Sequence, residues 1–274
     1  LRILVTGGRG QLGRSVAARG DDVIAVDIDE LDICGPVNLP RCDLVINAAA
    51  YTAVDKAEGE RERAFAVNCD GAANLARACR DRGVRFLHVS TDYVFDGTST
   101  RPYREEDPIA PLGAYGESKA AGERAVIELG GTIVRTSWLF AEGGPSFVHT
   151  MLRRAREQSV LRVVADQHGC PTYASDLADA LIALRDAAPG VYHYCNDGTA
   201  SWHAFATAIV AEARTHGPIA CDRIEAITTA EYPTPARRPA YSVLDTTRVR
   251  ALGIIPPSWR IGLARVIVHA LSKG

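Results

Sequence analysis

The stretch "VTGGRGQLGRSV", residues 5–16, decides the fold. It follows the apolar, β-rich "RILVT" and opens a helical pattern, so Gly7, Gly10 and Gly13 stand where a strand turns into a helix. That is the context a dinucleotide-binding turn requires. The first glycine permits the tight turn, the second lets a pyrophosphate approach the backbone, and the third lets helix and strand pack closely. The helix start offers unpaired N–H groups to the anion. The spacing is G-x-x-G-x-x-G rather than the tighter G-x-G-x-x-G. Asp27 lies 20 residues beyond Gly7, at the end of the next strand pattern, the separation of a carboxylate that hydrogen-bonds an adenosine ribose. Arg9, inside the turn, could meet a 2′-phosphate that Asp27 would repel. Both NADPH and NADH therefore remain open as the cofactor.

Outward from this turn the chain repeats one theme, an apolar run followed by a turn and a helical pattern. Residues 2–6, 23–27, 44–49, 84–91 and 132–138 read as strands, and most are near-continuous apolar runs, as in a sheet covered on both faces. Helical patterns occupy 11–19, 61–82 and 115–129. Residues 28–43 carry Pro36 and Pro40 without a helical period, so the second crossover is expected to be irregular. Alternating strands and helices predict an α/β protein with a Rossmann-like, doubly wound parallel sheet. After about residue 140 the rhythm loosens: helical patterns at 147–158, 175–187, 202–215 and 259–271 alternate with short strands at 162–166 and 191–195 and Pro-rich loops at 232–239 and 256–257. The expected division is a mainly NAD(P)-binding domain over 1–140 and a smaller substrate-binding lobe over 141–274, interleaved with the last strands of the sheet.

Composition narrows the partners. With 274 residues and 47% hydrophobic content the chain can bury a large core. A net charge of −2 without long single-sign runs gives no footprint for nucleic acid or an anionic membrane, so a small-molecule partner is expected. No apolar run spans a bilayer and no signal segment opens the chain, which predicts a cytoplasmic protein. Leu1 is not an initiator Met, so a short upstream segment is expected. Seven scattered cysteines without C-x-x-C or metal-ligand spacing read as reduced thiols, and no metal site is predicted.

Chemistry enters with "AYGESKAAGE", residues 114–123. Only three lysines accompany nine tyrosines, so the spacing of Tyr115 and Lys119 is uncommon by chance. One helical turn apart, the two project on one face. A phenol has a pKa of about 10, and a nearby cation would move it toward about 7, within reach of acid–base work. Alanines 48–50 close the third strand with small side chains, which allow a cofactor to lie against the backbone. His88, His168 and His193 have no nucleophile partner in the sequence and read as structural.

These motifs, together with "NAAAYTAVDKAE", "VNCDGAANLARAC", "VSTDYVFDG", "RTSWLF", "DQHGCPTYASDLA" and "YPTPARRPAYSVLD", occur in an order and at separations that resemble the extended short-chain dehydrogenase/reductases. Within them the chain is most similar to the dTDP-4-dehydrorhamnose reductase branch, from the first strand to about residue 245. The resemblance implies NADPH- or NADH-dependent reduction of the C4 keto group of a dTDP-linked 4-keto-6-deoxysugar, the last step of dTDP-L-rhamnose synthesis for cell-wall polysaccharide. By the same resemblance Thr91, Tyr115 and Lys119 are the catalytic set, Thr91 polarising the carbonyl and Lys119 also holding the nicotinamide ribose. Asp92 and Trp138 fall where the family contacts the deoxysugar. Gly10, Gln11, Leu12, Asp27, Asp32, Ile33, Ala50, Tyr51 and Thr52 match positions that line its dinucleotide, beside Gly7 and Gly13. Arg237 or Arg238 is a candidate for the nucleotide diphosphate. Some members form a dimer bridged by magnesium between glutamates; Ser15 and Ser175 stand here instead, so a monomer or weak homodimer without that metal is expected. "RRPAYS" also lacks the asparagine often present in its segment. Two other readings share the motifs. An epimerase or dehydratase would usually bring a larger lobe and, for dehydratases, an acidic pair after the threonine, whereas Thr91 is followed by Asp92 and Tyr93. A non-catalytic NADP-binding subunit of a methionine adenosyltransferase would not need the intact Thr91, Tyr115 and Lys119.

Overall fold

The computed structural model describes residues 1–20 and 22–272; Asp21 and the last two residues of the expected lobe lie outside the described residues. The first half runs β1 (Ile3–Thr6), α1 (Gln11–Ala17), β2 (Val23–Val26), β3 (Leu44–Asn47), α2 (Val54–Ala57), α3 (Arg61–Phe65), α4 (Ala72–Arg82), β4 (Arg85–Thr91), α5 (Ala114–Glu128) and β5 (Thr132–Thr136). The second half follows as β6 (Leu139–Phe140), α6 (Phe147–Glu157), β7 (Val160–Val164), β8 (His168–Gly169), β9 (Thr172–Tyr173), α7 (Ala174–Ala183), β10 (Val191–His193), β11 (Ala200–Ser201), α8 (Trp202–Arg214), β12 (Arg223–Ile227), α9 (Thr247–Ala251) and α10 (Trp259–Ser272).

Six strands form one parallel sheet in the order β10-β5-β4-β3-β1-β2. The order reverses between β1 and β3, and a crevice opens outside the carboxyl ends of strands at such a point. Alternation along the strands sends side chains to two covered faces. Ile3, Val5, Leu44 and Ile46 pack with Leu12 and Val16 of α1 and Leu177 and Leu181 of α7. Leu4, Val45 and Ile133 pack on the other face with Leu75 and Cys79 of α4 and Val126 of α5. β10 brings the second half back into the sheet beside β5. A separate cluster holds α6, α8 and α10 together through Val148, Phe205, Ile209, Trp259 and Val266. The stretch 28–43 contains turns and no helix, as two prolines without a helical period dictate.

Residues 61–82 are helical throughout, as their pattern suggested, but not uniformly α-helical. Between α3 and α4 the turns widen into a π-helical segment, Ala66–Gly71. The cause is tertiary: buried Asn68 turns its side chain onto the backbone of Tyr51, accepting from its N–H at 2.8 Å and donating to its carbonyl at 3.1 Å, and it also donates to the Ser118 hydroxyl at 2.9 Å. Such bulges redirect one side chain at a small cost in helix geometry. α5 fits against this segment because Gly122 has no side chain, since a Cβ there would lie 2.0 Å from the Asn68 carbonyl. The strand expected over 132–138 ends at Thr136, because Trp138 takes a left-handed backbone (φ 47°) and leaves the sheet. β12 was not foreseen: "RIEAI" is short and partly charged, and it becomes a strand by pairing with β7.

Candidate active site

A cleft of about 770 Å³ lies at the carboxyl ends of the sheet strands. It is lined at one end by Gly7, Gly10, Gln11, Leu12 and Gly13, and by Asp27, Asp32 and Ile33 beside them. Its middle is formed by Ala50, Tyr51 and Thr52, and its far end by Thr91, Asp92, Tyr115, Lys119 and Trp138. All the residues expected from sequence to form the catalytic and dinucleotide sets thus border one cavity. Arg237 and Arg238 are not among its lining residues. The Arg238 guanidinium is instead clamped by Asp55 of α2 at 2.8 and 3.0 Å.

The glycine turn is shaped by close approach. Gly7 is left-handed (φ 69°), and a Cβ on Gly13 would lie 2.1 Å from the Gly7 carbonyl oxygen. Helix α1 starts at Gly10 without any side-chain cap, so its first N–H groups face the cleft unpaired by side chains. The Asp27 carboxylate accepts from the Arg9 N–H at 2.9 Å and from the Ile28 N–H at 2.9 Å. Burial would raise its pKa, but these two bonds outweigh burial and hold it below the usual value. The Arg9 guanidinium pairs with Asp29 and, at 3.5 Å, with Glu30. From the other side Gln11 donates to the Pro145 carbonyl at 2.6 Å and Arg14 to the Gly143 carbonyl at 2.9 Å, tying the turn to the segment before α6.

At the far end, β4 delivers Thr91 and α5 delivers half-buried Tyr115 and buried Lys119 and Glu123 along one face. The Tyr93 N–H donates to the Thr91 hydroxyl at 3.2 Å, and that hydroxyl donates to Asp92 at 3.1 Å. Burial pushes Asp92 up to about 6, which hydrogen bonds from the Ser242 and Thr91 hydroxyls offset only in part. Tyr115 lies edge-on to Tyr93 with ring centroids 5.5 Å apart. Below, Glu123 holds Arg135 of β5 in a buried pair at 2.7 and 2.9 Å; removing one partner of such a pair costs about 3–5 kcal/mol.

The expected depression of the tyrosine pKa by a neighbouring cation does not occur. Burial pushes Tyr115 up to about 12, with the Thr91 hydroxyl pulling it back only partly. Lys119 turns its amine to the Val89 carbonyl at 2.7 Å and to His88 Nε2 at 3.1 Å, and burial lowers it to about 8. Tyr115 is therefore a phenol at neutral pH, a form that can give a proton.

Sequence reasoning missed Trp202. Its ring stacks on Trp138 with centroids 3.4 Å apart and planes 3° from parallel, and both border the cleft. The "DQHGC" loop builds this wall. Gln167 accepts from the Trp202 indole N–H at 3.2 Å, the Cys170 carbonyl accepts from Ser137 at 2.6 Å, and a Cβ on Gly169 would meet the Trp138 ring at 2.5 Å. No local pattern announces Trp202, because its stacking partner Trp138 lies several secondary-structure elements earlier in the chain. Asn68 was equally hidden, since its part is played through the Tyr51 backbone.

The cleft fits a polar, phosphorylated ligand of dinucleotide size. Among the described residues, Gln11 Oε1, Ser90 Oγ and Thr136 Oγ1 are buried polar atoms without a protein partner, and all three residues border the cavity. Buried groups of this kind are otherwise almost always bonded. A Cβ on Gly7 or Gly13 of the glycine turn would collide with backbone, so that turn can close only with glycine there.

The chain matches the RmlD substrate binding domain family over residues 1–272. It is 44% identical to a dTDP-4-dehydrorhamnose reductase of Burkholderia thailandensis, with 100% of each chain covered. A second protein of that name, from Aggregatibacter actinomycetemcomitans, is 44% identical over 98% of this chain and 99% of the relative. Among solved structures, dTDP-4-dehydrorhamnose reductase from Bacillus anthracis in complex with NADP superposes with a TM-score of 0.91 at 38% identity, covering 97% of this chain and 98% of that one.

Proposed function

The chain belongs to the RmlD substrate binding domain family, and we propose that it reduces the C4 keto group of dTDP-4-dehydro-β-L-rhamnose to dTDP-β-L-rhamnose with NADPH or NADH. The observation that carries this reading is the single cleft that joins the glycine turn to Thr91, Tyr115 and Lys119. Gly7, Gly10, Gly13 and Gln11 hold the pyrophosphate end of the dinucleotide. Asp27, Asp32 and Ile33 flank its adenosine, and Ala50, Tyr51 and Thr52 lie along its length. Asp92 and Trp138 hold the deoxysugar. Hydride donation to C4 is the chemistry that bound NAD(P)H supplies.

The residues of the chain do the rest. When substrate binds, the Thr91 hydroxyl turns its one proton from Asp92 to the carbonyl oxygen, donates a hydrogen bond there and polarises it. Tyr115 transfers its phenolic proton to the oxygen as negative charge develops there, so that the product carries a hydroxyl and the phenolate regains a proton from solvent. A phenol raised to about 12 is in the required acid form throughout the neutral range. The stacked tryptophans shield this end of the cleft from water.

A monomer or weak homodimer without a bridging metal accompanies this reading. The Ser15 hydroxyl is spent on the Gln11 carbonyl at 2.9 Å, and Ser175 accepts from Arg19, which also binds Asp179 at 2.7 Å. That face of α1 and α7 offers an arginine where a metal bridge needs carboxylates. The test is direct: purified protein, enzymatically generated dTDP-4-dehydrorhamnose, and NADPH or NADH in separate assays, followed by loss of reduced-nicotinamide absorbance. Turnover with formation of dTDP-rhamnose is expected; its absence with both cofactors overturns the proposal.

A further inference from the structure

At the end of the cleft bordered by Asp27, Ile28 and Asp32, the protein occupies its hydrogen-bond donors with its own carboxylates. Asp27 takes two backbone N–H groups, that of Arg9 on Oδ2 and that of Ile28 on Oδ1, each at 2.9 Å. The Asp27 N–H donates in turn to Glu30 Oε2 at 2.9 Å, and the Cys34 N–H donates to Asp32 Oδ1 at 2.9 Å. Ile28 itself is exposed and brings only an apolar side chain to this rim. The Arg9 guanidinium is drawn to Asp29 and lies 3.5 Å from Glu30, and it is not one of the groups lining the cleft among the described residues. Asp29, Glu30 and Asp27 all act on that one positive charge. Burial works to raise Asp27, and its two N–H bonds outweigh burial, so the carboxylate is ionised at neutral pH.

The two cofactors ask opposite things of this place. A ribose diol donates through its hydroxyls and needs acceptors, and a carboxylate that already accepts two N–H bonds has lone pairs left for it. A 2′-phosphate carries close to two negative charges at neutral pH and only accepts, so it needs donors and cations. We propose that the chain selects NADH over NADPH here, with Asp29 and Glu30 as specificity-determining residues that keep the Arg9 guanidinium from a 2′-phosphate. The inference rests on the reading in which Asp27 flanks the adenosine of a bound dinucleotide. To meet a 2′-phosphate, Arg9 must leave Asp29 and Glu30 and uncover both carboxylates beside a dianion, with Asp27 adding a third. Exposed ion pairs are weakly held in water, so the preference is graded and NADPH still binds. Coulomb repulsion between such a dianion and this surplus of carboxylates, screened at low salt, corresponds to about a tenfold difference in affinity.

The experiment is a pair of fluorescence titrations, with NADH and with NADPH, and needs no sugar substrate. Equal affinities would sink this inference and leave the reductase reading standing, whereas absence of sugar reduction would leave the affinity ratio standing; binding of neither dinucleotide would overturn both. At about 0.05 M salt NADH is expected to bind about tenfold more tightly, and the gap should narrow at about 0.5 M, where charges are screened within a few ångströms. A steric preference would not respond to salt in this way. The double substitution Asp29→Asn with Glu30→Gln keeps an acceptor for the Asp27 N–H while removing both charges. It should tighten NADPH by about tenfold and leave NADH within about twofold. Adding Arg9→Ala to that variant should remove most of the gain. Equal or tighter binding of NADPH by the unaltered protein, a ratio that does not move with salt, NADPH affinity unmoved in the double variant, or a gain undiminished by Arg9→Ala overturns the proposal. Should the double variant not fold, the ratio in the unaltered protein and its response to salt still decide it.

Discussion

Placing a methyl group on Gly13 and, separately, on Gly10 should split folding from dinucleotide binding. At Gly13 the added carbon would lie 2.1 Å from the Gly7 carbonyl oxygen, 2.7 Å from Gly8 Cα and 2.8 Å from the Gly7 carbonyl carbon. Favourable contacts lie at about 3.5–4 Å, and all three neighbours are backbone, so the turn must open by more than about 1 Å. Overpacking of this kind costs about 1–3 kcal/mol, and backbone obstruction argues for about 3. Gly13 sits inside α1, where alanine recovers about 1 kcal/mol of helix propensity. The net loss for Gly13→Ala is about 2 kcal/mol, or about 4–8 °C in Tm. At Gly10 the nearest atom would be the Gly7 carbonyl oxygen at 3.1 Å, and the backbone (φ −69°, ψ 168°) suits any residue. Gly10→Ala should therefore cost at most about 1 kcal/mol, the scale of a helix cap. Thermal melts of dinucleotide-free protein should rank Gly13→Ala well below Gly10→Ala, while NADPH fluorescence titrations should show both weakened by tenfold or more. A Gly13→Ala protein that melts with the unaltered one would refute the packing argument. Unchanged NADPH affinity in Gly10→Ala would refute the placement of the pyrophosphate.

Tyr115→Phe should lower kcat by about 10²–10⁴-fold, the scale of general acid catalysis, with NADPH affinity kept within a few-fold; near-normal turnover would remove Tyr115 as proton donor. Trp202→Ala should raise KM for the sugar nucleotide by up to about tenfold, since an aromatic pair contributes about 0.5–1.5 kcal/mol, with KM for NADPH barely changed; equal effects on both would place Trp202 outside the sugar end. His193 should make the fold acid-sensitive. It receives the Arg135 guanidinium N–H on Nε2 at 3.3 Å and donates from Nδ1 to the Tyr103 carbonyl at 3.1 Å, and burial, with the Arg135 charge, lowers it to about 3. Its folded pKa lies below the unfolded value near 6.5, so the unfolded chain binds more protons and stability falls as pH drops from about 6.5 toward 3. Between pH 7 and 5 this amounts to about 2 kcal/mol. Urea denaturation at the two pH values should show a drop about that much smaller in His193→Gln, and identical pH dependence in both proteins would count against the assignment.

Much of this molecule was legible from residue order alone, for a local reason. The glycine turn, the apolar strands and the one-turn spacing of Tyr115 and Lys119 are short-range patterns, and backbone sterics and burial act on them wherever they occur. Asp27 and Ala50 followed because a strand end in a parallel sheet points into the crevice, while the part assigned to Thr91 came with the family resemblance. The sequence could not reveal how the side chains choose partners across strands. The widened turn at 66–71 exists because Asn68 meets Tyr51 and Ser118, and Trp202 joins Trp138 only when α8 packs beneath the "DQHGC" loop. The pairing of Tyr115 and Lys119 shows the division most clearly. Spacing put both on one helix face and suggested that the lysine tunes the tyrosine. The tertiary structure directs the amine to Val89 and His88 instead, because burial leaves an amine no water and it must bond to whatever neighbouring strand lies within reach.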